Sequence, residues 1–410
     1  MKLNLMDLLL PMIYALDMEE HDLTGATGGH GERVALLTYL MARPLHYPQP
    51  QLMDIVECAL LHDCGAVENI RNLRDARAAG REYAETLPDG TVVRDANIHA
   101  ILGEKDIRPL PFHGDVRNIV LMHHECVDGS GPLGRKEDEI PFPSQLIFLA
   151  DRMDIWFDLQ TLPERGFQPM IDSLLSRVGR EFSRRAADLM VQNIHYDDIR
   201  RIQEKGAKAL LRELLPQDVT DYSRPQIYAL TRFFEHIVDA KSSFTKDHSA
   251  GIADKAERMA GFYGWSVDKT DRFLLAAALH DYGKLTVETD ILEKPDKLTP
   301  EEFTAIQRHV RQTYEILNEI PGFEDIRDWA SFHHEKLDGS GYCFGLTAER
   351  LSFESRLMAC IDIYQALTEK RPYKDGFSHG KAMDIMQEMA AAGKIDGAIV
   401  QDLDKVFGKQ

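Results

Sequence analysis

The chain is 410 residues long, enough for two domains that each bury a core of their own. Its 48 basic and 67 acidic residues leave a net charge of -19, which argues against a nucleic-acid polymer as partner, since that would call for a concentrated basic face. Five cysteines, an odd number with no C-x-x-C pair, argue against a disulfide framework or a thiolate zinc site and for a reducing, cytoplasmic setting. The first apolar run is broken by Asp7 and Pro11 and leads to no small-residue cleavage site, so it predicts a packed helix rather than a signal peptide. No stretch comes near the roughly 18 apolar residues of a membrane span. Residues 50–65 read as a helix with Pro50 in its first turn and Gly65 as its C-terminal cap. A weak strand signal lies at 91–93, and two prolines among polar turn residues at 215–225 mark a linker. Beyond it, 268–283 repeats the pattern of 50–65 and again ends in His-Asp-x-Gly. Thr299, Pro300 and Glu302 form a capping box, and the helix that follows places Phe303, Ile306, Val310, Tyr314 and Leu317 on one face with His309 beside them. Asp362 lies in the apolar helical segment 355–367. Helical periodicity nearly everywhere predicts an all-α fold, with one helical domain over 1–215 and another over 226–410.

One set of His and Asp residues occurs twice. His30, His62, Asp63, His99, His123, His124 and Asp151 in the first half correspond to His248, His280, Asp281, His309, His333, His334 and Asp362 in the second. The first interval is 32 residues in both copies, and the interval into the double histidine is 24 in both. The last is 28 in the first copy and 29 in the second. The large difference is in the stretch from the His-Asp pair to the third His, 37 against 29, which fits a loop insertion in the first copy. One His-Asp pair at a helix end is more simply a histidine bonded to a backbone carbonyl. Packing, however, does not require polar residues at matched long-range intervals, whereas a polynuclear metal site does, because its ligands must reach one point. Imidazole and carboxylate without thiolate favour iron, manganese, zinc or nickel over a magnesium or calcium cage. A two-metal centre suits phosphodiester hydrolysis, because it activates water and steadies both the entering and the leaving oxygen.

The ordered segments HDYGKL, ILEKPDKLTPEEF, HHEKLDGSGY and DIYQALTEKRPYK, over roughly residues 235–390, resemble the HD-GYP domain, a branch of the HD phosphohydrolases. The resemblance implies two tandem all-helical HD-type domains, the second of them catalytic. It implies metal-dependent hydrolysis of a cyclic dinucleotide, cyclic di-GMP or 3′,3′-cyclic GMP-AMP, to the linear dinucleotide and onward to mononucleotides. The alternatives are a non-catalytic dinucleotide-binding module and a general nucleotide phosphohydrolase of the HD superfamily. It also implies two or three divalent ions, iron or manganese first and nickel or zinc as alternatives, held by His248, His280, Asp281, His309, His333, His334 and Asp362. Asp239 stands nine positions before the first of these, where three-metal members carry Glu, one methylene longer. Asp281 and Lys284 take catalytic roles, with Lys284 on a substrate phosphate. Arg371 and Lys374 would hold guanine or phosphate, and Asp338, Gly339, Gly341 and Tyr342 would line the nucleotide cleft. Cys343 replaces the proline of the family's Gly-Tyr-Pro.

The first copy keeps every metal-type residue but little of the substrate apparatus. Ala66 replaces the lysine, Gly131-Pro132 replaces Gly-Tyr, and Gln160 and Pro163 stand where Arg371 and Lys374 would correspond. His21 falls at the offset of Asp239. The first half therefore reads as a divergent HD domain with a second metal site and a structural or regulatory role. The expected partners are a cyclic dinucleotide, no nucleic-acid polymer, no membrane and, left open, a second copy in a homodimer. His46, His113, His195, His236 and His379 fall outside the repeat and read as structural or surface residues.

Overall fold

The computed structural model describes residues 1–24, 28–94, 97–216, 219–241, 248–294, 296–370 and 375–408. The fold class is all-α, as the periodicity predicts, with only short two-stranded ribbons beside the helices among the described residues. The chain forms two compact units, residues 4–220 and residues 1–3 with 221–410. Among the described residues no helix is long and apolar enough to cross a membrane.

The first unit is built around the helix His30–Ala42. Its sequence after the first turn, VALLTYLMA, is apolar on all sides, so it is stable only where neighbours cover it completely. The helices Gln49–Leu60 and Phe142–Phe157 provide that cover. Leu5–Thr24 adds Leu8, Leu9, Leu10, Met12 and Ile13 to the same core, as a packed N-terminal helix should. Burying each such side chain contributes about 1.5–3 kcal/mol. The weak strand signal becomes a real hairpin: Ala84–Thr86 pairs antiparallel with Val92–Arg94. It lies between the His-Asp pair and His99, where the first copy is the longer (37 − 29 = 8 residues).

In the second unit the helix Val267–Leu279 plays the central part. Ser266 caps it by accepting from the Lys269 amide, and Phe273 through Leu279 are buried. Its alanines let Arg224–Ala240, His248–Phe262 and Glu324–Ser331 pack closely against it. The predicted capping box holds. Thr299 Oγ1 accepts from the Glu302 amide at 3.2 Å, and Glu302 Oε2 accepts from the Thr299 amide at 2.7 Å.

Gly65 and Gly283 do not act as the helix caps that the sequence suggests. Gly65 has φ -75, outside the left-handed region, and opens the next helix, Ala66–Ala78. Gly283 lies in the short 3-10 helix Tyr282–Thr286. What each supplies is room. A Cβ on Gly283 would stand 2.0 Å from the carbonyl oxygen of His309, and one on Gly65 would stand 2.3 Å from that of His99. The helix bearing the third histidine can reach the His-Asp turn only because no side chain intervenes.

Candidate metal centres

Each His-Asp pair follows the last turn of a buried helix, and its histidine bends back onto that turn. His280 Nδ1 lies 2.7 Å from the carbonyl of Ala277. A carbonyl only accepts, so Nδ1 carries the proton and Nε2 keeps its lone pair. The same bond recurs from His62 to Ala59 (2.8 Å), His123 to Val120 (2.6 Å), His309 to Ile306 (2.5 Å) and His333 to Ala330 (2.6 Å). His30 and His248 reach the same tautomer through carboxylates, Asp154 at 2.6 Å and Glu369 at 2.7 Å.

In the second unit the freed Nε2 atoms converge on Asp281. Its Oδ2 is 3.1 Å from His280 Nε2, and its Oδ1 is 3.2 Å from His309 and 3.9 Å from His333. His248 Nε2 is 3.3 Å from Asp362 Oδ1. Ligand atoms of His248, His280 and Asp281 form one group within 4.8 Å, and those of His309, His333 and His334 form another. Asp239 belongs to neither group, and its Oδ1 accepts from Ser249 Oγ at 2.6 Å. The Nε2 atoms of His280, His309 and His333 and Oδ1 of Asp281 are buried with no hydrogen bond among the described residues. Lone pairs facing lone pairs away from water are costly unless a cation lies between them. The donor set therefore fits divalent metal.

The first unit repeats this geometry more tightly. Asp63 Oδ1 is 2.8 Å from His99 Nε2 and 3.4 Å from His123 Nε2, and Asp63 Oδ2 is 3.0 Å from His62 Nε2. His30 Nε2 is 3.4 Å from Asp151. Atoms of Asp63, His99, His123 and His124 all fall within 4.8 Å of one another. His124 differs from the seven histidines held through Nδ1. Arg152 stands 3.1 Å from its Nδ1, and a guanidinium only donates, so the neutral ring carries its proton on Nε2. Ile363 follows the last aspartate in the other copy.

The electrostatics agree with a preformed anionic centre. Burial alone would raise the Asp281 carboxyl, but His280 and Lys284 outweigh it and hold it well below the usual carboxylate range. Burial likewise opposes ionisation of Asp362, yet its bond to His248 and the neighbouring imidazoles of His334 and His333 keep it far down. Burial pushes the His334 imidazole down to about 4, so it stays neutral and able to ligate.

Lys284 Nζ lies 2.5 Å from Asp281 Oδ2, with its side chain one-fifth exposed. The Tyr342 ring covers His334, with 4.7 Å between centroids. Asp338 turns away, capping its own loop by accepting from the Ser340 amide and hydroxyl. Gly339 takes φ +77, and Gly341 lies so close to Glu335 that a Cβ would meet its Cα at 2.5 Å. These three residues shape the turn, and Tyr342 is the one brought over the ligand cluster. Arg371 and Lys374 lie outside the described residues.

Several contributors escape sequence reasoning. Buried Glu335 accepts from the amides of Phe344 (2.7 Å) and Leu346 (2.8 Å) and so ties the Asp338–Tyr342 turn. Glu125 does the same for Leu133 and Arg135, both at 2.7 Å. The glutamate after each double histidine was the available signal. Glu369 and Asp154 had none, since they sit seven and three residues after their aspartates. Asp17 was also missed: its Oδ1 accepts from the Gly31 amide beside His30. His21, favoured by offset alone, has no described side chain. Among the histidines outside the repeat, His379 bonds Tyr364 and Asp404, each at 2.8 Å, in a structural role.

Residues 27–156 and residues 232–399 each match the HD domain family. The chain is 28% identical over 385 residues to the 3'3'-cGAMP-specific phosphodiesterase 1 of Vibrio cholerae, covering 90% of this chain and 85% of that protein. It is 30% identical over 328 residues to the 3'3'-cGAMP-specific phosphodiesterase 3 of the same organism, covering 78% of this chain and 68% of that one. The cyclic di-GMP phosphodiesterase response regulator RpfG of Xanthomonas campestris is 31% identical over 255 residues, 55% of this chain and 64% of that protein. A crystal structure of a cyclic GMP-AMP-specific phosphodiesterase from V. cholerae superposes with a TM-score of 0.65 at 23% identity, covering 100% of this chain and 99% of that one, and shares the fold. With one HD domain in each half and relatives of this type along most of its length, the chain belongs to the HD-GYP family of HD-domain phosphohydrolases.

Proposed function

We propose that the second HD domain hydrolyses a cyclic dinucleotide, cyclic di-GMP or 3′,3′-cyclic GMP-AMP, to the linear dinucleotide. The observation that carries this reading is the convergence of His248, His280, His309 and His333 on Asp281 and Asp362, with Lys284 at its edge. The names of the relatives support the substrate class.

Two or three divalent ions, iron or manganese before nickel or zinc, would be held by His248, His280, Asp281, His309, His333, His334 and Asp362, with Asp239 the candidate for a third. When bound they supply activated water and charge neutralisation at the phosphate. The chain's own residues do the rest. Backbone carbonyls hold the histidines in the ligating tautomer. Lys284 leaves Asp281 to donate to a non-bridging phosphate oxygen, and Tyr342 gives a flat apolar wall beside His334 for a purine. Arg371 and Lys374 are the remaining candidates for guanine or phosphate. The first HD domain, with Ala66 in place of the lysine and Arg152 against His124, serves a regulatory or structural role. The setting is cytoplasmic, in keeping with five free cysteines.

The test is product analysis on the full chain, reconstituted anaerobically with Fe(II) or Mn(II) and given each dinucleotide. His280→Ala should abolish turnover, Lys284→Met should lower kcat about a hundredfold, and His62→Ala should leave turnover in place. Full activity in His280→Ala would refute the assignment. Tight binding without product in metal-loaded protein would make the domain a dinucleotide sensor instead.

A further inference from the structure

The first unit contains a cleft of about 720 Å³ that does not include its metal ligands. One wall is the inserted hairpin, from Thr86 to Asp89, and the opposite walls are the helix Ile98–Ile107 and the segment before His123. The floor is apolar. Leu87, Ile101 and Leu121 are half-buried there, packed on a core that includes Leu102, Met122 and Leu133. Such a volume is within the range of about 300–1,000 Å³ that holds small ligands.

The rim is charged, and most of its charges are already matched. Arg135 pairs with Asp89 across the mouth and with Glu139 at 3.8 Å. Arg108 pairs with Glu104, whose carboxylate also accepts from the amides of Asn118 and Leu121. Lys105 is the exception: it lines the cleft, is exposed, and makes no hydrogen bond or ion pair among the described residues. An apolar floor with one unmatched cation on its rim selects a molecule with an apolar body and one negative charge.

We propose that this cleft is a binding site for a small organic acid with a ring-sized apolar body, its carboxylate on Lys105 and its body on Leu87, Ile101 and Leu121. The hairpin that walls the cleft lies in the stretch where the first copy is eight residues longer (37 − 29 = 8). It backs onto the two segments that carry His99, His123 and His124. An occupant therefore presses on metal-binding elements without touching a ligand, which is where a regulatory ligand would act.

The experiment uses the full chain with anilinonaphthalene sulfonate, an aromatic body carrying one anion, as fluorescent probe. Binding should saturate at one equivalent. 2-Naphthoate should displace the probe, and neutral 2-naphthamide should do so about tenfold less well. Lys105→Glu, an exposed substitution that leaves packing alone, should weaken binding about tenfold or more, and Lys105→Arg should restore it. Ile101→Trp should fill the floor and remove binding. Hydrogen exchange should slow across residues 84–94 and 98–107 when 2-naphthoate is added. Unchanged probe affinity in Lys105→Glu, or unaltered exchange in those two segments, would overturn the proposal.

Discussion

Oδ1 of Asp17 lies 3.2 Å from the amide nitrogen of Gly31, the residue after His30. Oδ1 of Asp239 takes the corresponding place in the second domain, facing Ser249, the residue after His248. The two acids thus hold one structural position, although Asp17 precedes its histidine by 13 residues and Asp239 by nine. The offsets differ by four residues, about one helical turn, which returns the side chain to the same face. Burial pushes each of the two carboxyls up to about 6. Asp17→Asn should weaken metal binding by the first domain about tenfold or more. Metal titration of a chain also carrying His280→Ala and Asp281→Ala isolates that cluster. Unchanged affinity would leave Asp17 with only the Gly31 amide to serve.

Glu369 orients His248 through a 2.7 Å bond to Nδ1. Removing such a partner typically costs about 10–100-fold in metal affinity. Glu369→Ala should show that loss in the second domain while the first domain titrates as before. Glu369→Gln, which still accepts through its amide oxygen, should recover most of it. Equal loss in both variants would mean that the charge, rather than the tautomer, is what matters.

Gly283 is the point at which the helix Pro300–Asn318 meets the His-Asp turn. Gly283→Ala would set a methyl 2.0 Å from the His309 carbonyl. Overpacking of this kind costs about 1–3 kcal/mol. A lowered unfolding midpoint, with metal binding by the second domain lost first, is the expected outcome by calorimetry and metal titration. Gly65→Ala should do the same to the first domain, where the clash is at 2.3 Å.

Glu57 is 4% exposed, and burial, helped by Asp54, raises its carboxyl well above the ordinary 4.5. A raised carboxyl favours folding below the unfolded value and withdraws that support as pH rises through the folded value. Glu57→Gln keeps the shape and removes the titration. Thermal melts should show the variant gaining stability over the parent from about pH 5 upward, with little difference near pH 4. A pH-independent difference would mean that Glu57 does not titrate in this way.

Much of this protein was legible before any fold was known. Helical periodicity specified an all-α chain, because the 3.6-residue repeat of apolar side chains is set by the core they must reach. The doubled intervals of 32 and 24 residues marked the ligand histidines, because ligation ties distant positions to one point. Those are constraints on residue type at a spacing, and a sequence records spacing directly. The tertiary structure decided what depends on partners from elsewhere in the chain. It decided which nitrogen of each histidine is free, since that is set by the carbonyl or carboxylate that happens to face the other. It showed Gly65 and Gly283 to be points of close approach rather than caps, because the crowding atom belongs to another helix. It placed Asp17 beside His30, since an offset counted along the chain ignores an extra helical turn. It also set Arg152 against His124 and Lys105 on the rim of a cleft, because charges meet through folding and not through order in the chain.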